Sequence, residues 1–166
     1  MQKPNFPAEI KDKQGNVYIV NVVSNSEYIF SAFISFNRLS VGRINWVIED
    51  NNVMTLADLI IFDRRFRRPL WARLLPFLKW KPLNFRQRGL GSAMLHYVIA
   101  QAEALNVDAI FGFVTSDDLR ETPYLLKFYE KQGFTVHRTS QGSQENSITI
   151  YYEMRSTPQI LCEVEA

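Results

Sequence analysis

Cysteine is nearly absent from this chain of 166 residues. The single Cys162 excludes a disulfide framework or a cysteine-built zinc site within one chain. Long apolar runs are missing too, and none approaches the ~20 residues that a membrane-crossing helix needs. Met1 to Ile10 lack the charged-then-apolar layout of a secretory signal, so a reducing cytoplasm is the expected compartment. Histidine is scarce: His96 and His137 lie far apart with no acids at metal-ligand spacing, and no metal is expected. Several phosphate and nucleophile signatures are also lacking. There is no P-loop Gly-x-x-x-x-Gly-Lys-Ser/Thr and no Gly-x-Ser-x-Gly hydrolase elbow, and Met94 stands where a dinucleotide fingerprint needs its third glycine.

Nor is there a large excess of either charge. The formal net charge is +2, but seven of the basic residues lie between Asp63 and Asn84 (Arg64, Arg65, Arg67, Arg68, Arg73, Lys79 and Lys81) against Asp63 as the one acid. The remainder of the chain is therefore net acidic, and one local basic element is better supported than a globally basic protein. The length fits residues 1–166 as one domain, with a basic insertion at about 63–84 and a C-terminal tail at 156–166.

What is present reads first as strands. Val17 to Val23 follows the turn signal Gln14-Gly15-Asn16, then come Tyr28 to Phe36, Val41 to Ile48 and Val53 to Phe62. Short connections between them predict an antiparallel meander. From Ser92 to Leu105 the period changes, and Leu95, Val98, Ile99, Ala102 and Leu105 share one helical face. Val107 to Val114 reads as a strand. Thr122-Pro123 predicts the start of a short helix with Leu125, Phe128 and Tyr129 on its inner side, and Gly133 suits its left-handed end. Phe134 to His137 and Ile148 to Met154 read as two further strands around the polar stretch Thr139 to Ser147.

Chemistry is concentrated in Arg86-Gln87-Arg88-Gly89-Leu90-Gly91-Ser92, directly before the amphipathic helix. Two residues without Cβ let the backbone approach a ligand, and a helix start offers unpaired N–H groups that favour phosphate. A Gly-x-Gly before a helix also serves as a plain tight turn. About forty residues on, a helix is expected to end in Phe128-Tyr129-Glu130-Lys131-Gln132-Gly133-Phe134.

With these two pieces in this order, the chain resembles the GNAT superfamily of N-acetyltransferases, whose loop Gln/Arg-x-x-Gly-x-Gly/Ala is matched by Arg86, Gly89 and Gly91. The resemblance spans about Tyr28 to Met154. It implies an α/β (α+β) fold: a mainly antiparallel sheet of about seven strands with one splayed parallel pair, Val53 to Phe62 and Val107 to Val114, and flanking helices. It implies acetyl-CoA as co-substrate, with its pantetheine near Ile60, Ile61 and Phe62 and its pyrophosphate on Arg86, Gln87, Arg88, Gly89, Leu90, Gly91 and Ser92. It further implies a primary amine, on a small molecule or a protein, as acceptor by direct attack, and Tyr129 as the acid toward the departing thiolate. For the base, Asp58 and Glu49 are candidates, each also readable as a solvated or salt-bridged acid.

Three departures limit what carries over. Only Ser24 to Glu27 separates the first two meander strands, where the family often has two helices shaping the acceptor site. Thr115-Ser116-Asp117-Asp118 replaces a family asparagine after the strand ending at Val114, leaving Ser116 or Asp117 as stand-ins. About twenty extra residues, the basic segment, precede the loop. A lid packed on the domain's own core is the favoured reading of that segment; contact of residues 64–81 with nucleic acid or a membrane surface is the alternative. A non-catalytic acyl-CoA-binding regulatory module is the rival function. A homodimer is expected if the tail, with Leu161 and Val164, lies across a neighbouring subunit.

Overall fold

The computed structural model describes residues 8–24, 26–62, 84–138 and 148–154. The basic insertion as far as residue 83, the stretch 139–147 and the tail 156–166 lie outside them, and with them the lid, nucleic-acid, membrane and homodimer readings.

Eight strands form one sheet: β1 (Ala8–Lys11), β2 (Val17–Ser24), β3 (Ile29–Phe36), β4 (Leu39–Ile48), β5 (Val53–Ile61), β6 (Ala109–Val114), β7 (Thr135–Arg138) and β8 (Ile148–Glu153). Their order is β1-β2-β3-β4-β5-β6-β8-β7. Every neighbouring pair is antiparallel except β5 and β6. β1 is an addition to the seven strands expected: a four-residue edge strand is too short for its pattern to stand out, and its pairing with β2 defines it.

Among the described residues, three helices follow the meander: α1 (Leu90–Ala104), α2 (Ser116–Glu121) and α3 (Leu125–Lys131). Leu95, Val98, Ile99 and Ala102 of α1 are buried, as the helical spacing predicted, together with Leu90, Met94 and Tyr97. At about 1.5–3 kcal/mol for each large side chain fully buried, this face holds α1 to the sheet. It joins one core with Tyr18, Val20, Ile34, Ile44, Trp46, Met54, Ile110 and Ile150. The opposite face of β2 and β3 leaves Val17, Ile19, Val23, Ile29 and Phe33 exposed.

Two local expectations are corrected. Thr115 to Asp118 opens α2: the Thr115 side chain accepts from the Asp118 amide, while the Asp118 carboxylate accepts from the Thr115 amide at 2.9 Å and its hydroxyl at 2.7 Å. This is a capping box, with aspartate in the reciprocal position. Thr122 accordingly ends α2 and does not cap α3, whose N-cap is Tyr124. Gly133 follows α3 with φ +91°, as its place after the helix predicted.

Candidate cofactor cleft and active site

The site begins where β5 and β6 part. Their parallel pairing runs from Val53↔Ala109 to Leu56↔Gly112 and stops. At the same level β5 carries a bulge: Asn45 of β4 faces Asp58 and Trp46 faces Leu56, which leaves Ala57 unmatched. A bulge bends and twists its strand, and here it coincides with the point at which β5 leaves β6. Beyond Leu56, β5 stays paired only with β4, so its other edge has no strand partner among the described residues.

A notch of about 80 Å³ occupies the gap, bounded by Ala57 to Leu59, Phe113, Val114, Asp118, Leu125 and Tyr129. It shares Asp58, Leu59, Asp118 and Leu125 with a larger cleft of about 550 Å³. That cleft runs along Leu59, Ile60 and Ile61 to Phe85, Arg86, Gln87 and the start of α1, with α2 and α3 forming its far wall through Glu121, Thr122, Tyr124 and Phe128.

Backbone geometry shapes the loop end. Phe85, buried against Tyr18 and Phe36, anchors the entry to the loop. Gln87 and Gly89 both take left-handed φ, 62° and 83°. Gly89 is the N-cap residue of α1; no side chain caps the helix and no acid lies in its first turn. The first amides of α1, at Leu90, Gly91 and Ser92 on the cleft wall, are thus without a side-chain acceptor among the described residues. With the positive end of the helix dipole they are suited to an anion.

The two glycines differ in kind. A Cβ on Gly89 would lie 2.9 Å from Cγ of Lys13, so the space beside Gly89 is taken by that lysine. A Cβ on Gly91 would meet Phe128 Cζ at 3.5 Å, an ordinary contact.

Most residues singled out from sequence converge. Asp58, Ile60, Ile61, Arg86, Gln87, Gly89, Leu90, Gly91 and Ser92 line the large cleft, and Tyr129 lines the notch. Phe62 and Arg88 stand apart. The Phe62 amide donates to Val41 O at 2.9 Å, and neither residue is among those lining the cleft. The Arg88 guanidinium turns inward, 3.9 Å from the buried Asp12 carboxylate and over the Phe85 ring. Glu49 accepts from Thr55 Oγ1 at 2.6 Å and lies off the cleft. Ser116 and Asp117 lie off it as well; Asp118 of the same turn takes the cleft position.

Sequence reading missed Lys13, Asp118, Glu121 and Phe128 as lining residues. The Thr115-x-x-Asp118 cap was the available signal for α2. Nothing local marked Lys13.

The cleft is bipolar. Lys13 and Arg86 stand at the loop end, while Asp58 and Asp118 also line the strand gap and Glu121 lies on the α2 wall. Asp58 is fixed by Arg43, whose guanidinium donates to it at 2.9 Å. Tyr129, 8% exposed, packs its ring against Phe128 and Phe134. Burial first, then the nearby Asp118 and Asp58 charges, push its phenol up to about 12.

No family model and no curated protein matches the sequence. Solved structures do match. The GNAT domain of S. lividans PAT superposes with TM-score 0.64 at 10% identity, covering 93% of this chain and all of that one. The ribosomal-protein-S18-alanine N-acetyltransferase of Escherichia coli gives 0.55 at 16%, covering 82% and 76%. PaiA N-acetyltransferase of Thermoplasma acidophilum, in complex with coenzyme A, gives 0.52 at 14%, covering 76% and 62%. At these identities the likeness establishes the fold: a mixed sheet of the GNAT acetyltransferase type.

Proposed function

We propose, from that fold and this cleft, that the chain binds acetyl-CoA and transfers its acetyl group to a primary amine by direct attack. One observation carries the reading: the cleft joins an uncapped helix start, suited to a diphosphate, to a strand gap suited to a slender thioester-bearing arm. Arg86 and the amides of Gln87 to Ser92 hold the diphosphate. The free edge of β5 from Asp58 to Ile61 offers backbone groups to the arm, and an N–H aimed at the thioester oxygen stabilises the developing oxyanion in a dry site. The acids at the gap end draw in a protonated amine, and Asp58, oriented by Arg43, accepts its proton.

Tyr129 donates to the thiolate as the C–S bond breaks. Burial keeps the phenol protonated, which fits that role. With a phenol near 12 and a thiol near ~8.5, full proton transfer is uphill by roughly 3.5 units, or about 5 kcal/mol. Tyr129 therefore stabilises the leaving sulfur as a hydrogen-bond donor, and the proton that finally neutralises it is the second one the amine loses, after Asp58 has taken the first.

A second reading has one observation in its favour. β2 passes to β3 through a short turn, so no helix pair walls an acceptor pocket there. A module that binds acyl-CoA without turnover needs no such wall. Calorimetric titration with acetyl-CoA and CoA at low and moderate salt tests both readings. Saturable one-to-one binding, with thiol release in a panel of amines, is the expected result. Binding without release from any amine favours the regulatory module, and no binding at either salt overturns the acyl-CoA reading.

A further inference from the structure

The turn between β1 and β2 is built around a buried acid. Asp12, whose side chain is fully buried, accepts from the amides of Gln14 at 2.8 Å and Asn16 at 2.9 Å, from Asn16 Nδ2 at 2.8 Å and from the Tyr18 hydroxyl at 2.9 Å. Burial alone would push its carboxyl up, but these bonds outweigh it and hold it below the ordinary value. A turn so cross-bonded is rigid.

This turn is fastened to the phosphate loop from both sides. The Lys13 amide donates to Arg88 O at 2.9 Å, and the Arg88 guanidinium lies 3.9 Å from Asp12. The Lys13 stem then crosses the bare Cα of Gly89, with Cγ, Cε and Cδ at 2.9, 3.1 and 3.4 Å from where a Cβ would stand. Lys13 is exposed to the cleft and has no carboxylate partner among the described residues. Of the loop's two arginines, Arg88 is committed to Asp12, which leaves Arg86 alone among the loop's own cations on the cleft wall.

We infer that Lys13 is a diphosphate-binding residue of the cofactor site, delivered from outside the loop by the β1–β2 turn, with Asp12 as its positioning residue. The inference rests on the acyl-CoA reading above. An ammonium beside the first amides of α1 places a full positive charge where the helix end supplies only a partial one.

The experiment measures dissociation constants of CoA and of 3′-dephospho-CoA by calorimetry for the wild type and for Lys13→Ala, Lys13→Arg and Lys13→Glu. Thermal unfolding of each variant confirms that it is folded. At about 50 mM salt, Lys13→Ala is expected to weaken both ligands about ten-fold, and the deficit shrinks at about 500 mM as screening rises. Lys13→Glu weakens both further, and Lys13→Arg restores most of the affinity. Wild-type affinity in Lys13→Ala overturns the inference and leaves the acyl-CoA reading standing. A loss confined to CoA overturns the diphosphate assignment, because it moves the contact to the 3′-phosphate. A loss equally deep in Lys13→Arg overturns it as well, by assigning the effect to packing. A wild-type protein that binds neither ligand removes the acyl-CoA reading and this inference together.

Discussion

Tyr129 shows how one side chain takes its role from its surroundings. The phenol belongs to a helix-ending pattern visible in the sequence, but its burial against Phe128 and Phe134 and its nearness to Asp118 and Asp58 depend on the assembled sheet and helices. Removing the hydroxyl leaves an isosteric ring, so Tyr129→Phe should fold normally and bind acetyl-CoA as the wild type does. Its kcat should fall on the order of 10²-fold, as for the loss of one hydrogen-bond donor to a developing charge. Because the phenol keeps its proton to about pH 12, the wild-type rate profile should show no alkaline limb from Tyr129 below ~pH 11. Equal rates in the two proteins would remove the residue from this role; a limb near ~pH 10 that vanishes in Tyr129→Phe would instead contradict its raised phenol.

At the scale of elements, the glycine-bearing loop and α1 were legible. Glycines, polar residues and then a 3.6-period apolar stripe are properties of neighbouring residues, so the helix appears within two residues of its expected start. The different needs of the two glycines were not legible, since the sequence writes them alike. Gly89 sits at φ +83° and Gly91 within the first turn of α1. Gly89→Ala should therefore cost about 1–2 kcal/mol of stability from the left-handed backbone alone, and should weaken CoA binding by displacing Lys13. Gly91→Ala meets only an ordinary contact with Phe128, and should be neutral or stabilising by up to about 1 kcal/mol through helix propensity. Urea unfolding of the two variants, side by side, decides the matter; equal losses would contradict the assignment. α2 was missed for a related reason: six residues with no buried side chain carry no hydrophobic period, and only its cap marks it.

For the whole molecule, three buried tyrosines set an alkaline limit on stability. Burial pushes Tyr129 and Tyr97 up to about 12, and burial together with Asp12 raises Tyr18. The Tyr97 hydroxyl is buried without a hydrogen-bond partner among the described residues, which favours its neutral form. The unfolded chain releases these protons near ~10 while the folded one retains them. Their contribution is thus complete below about pH 10 and is lost as pH rises toward 12. Asp12 works in the opposite direction: its depressed carboxyl adds stability above ~3.9 that is lost as the solution is acidified. Urea midpoints measured from pH 8 to 11.5 should fall increasingly steeply above pH 10. A flat profile over that range would contradict the burial of these groups.

By itself the sequence determined the strand meander, the loop and its helix, and the Tyr129-bearing turn of α3, because each follows from preferences acting within a dozen residues. Strand order, the bulge at Ala57 and the parting of β5 from β6 were decided only by the tertiary structure. So were the inward turn of Arg88 toward Asp12 and the arrival of Lys13 over Gly89. Each depends on which backbone pairs with which across a long stretch of chain, and Lys13 is brought to Arg88 by a hydrogen bond between residues 75 positions apart.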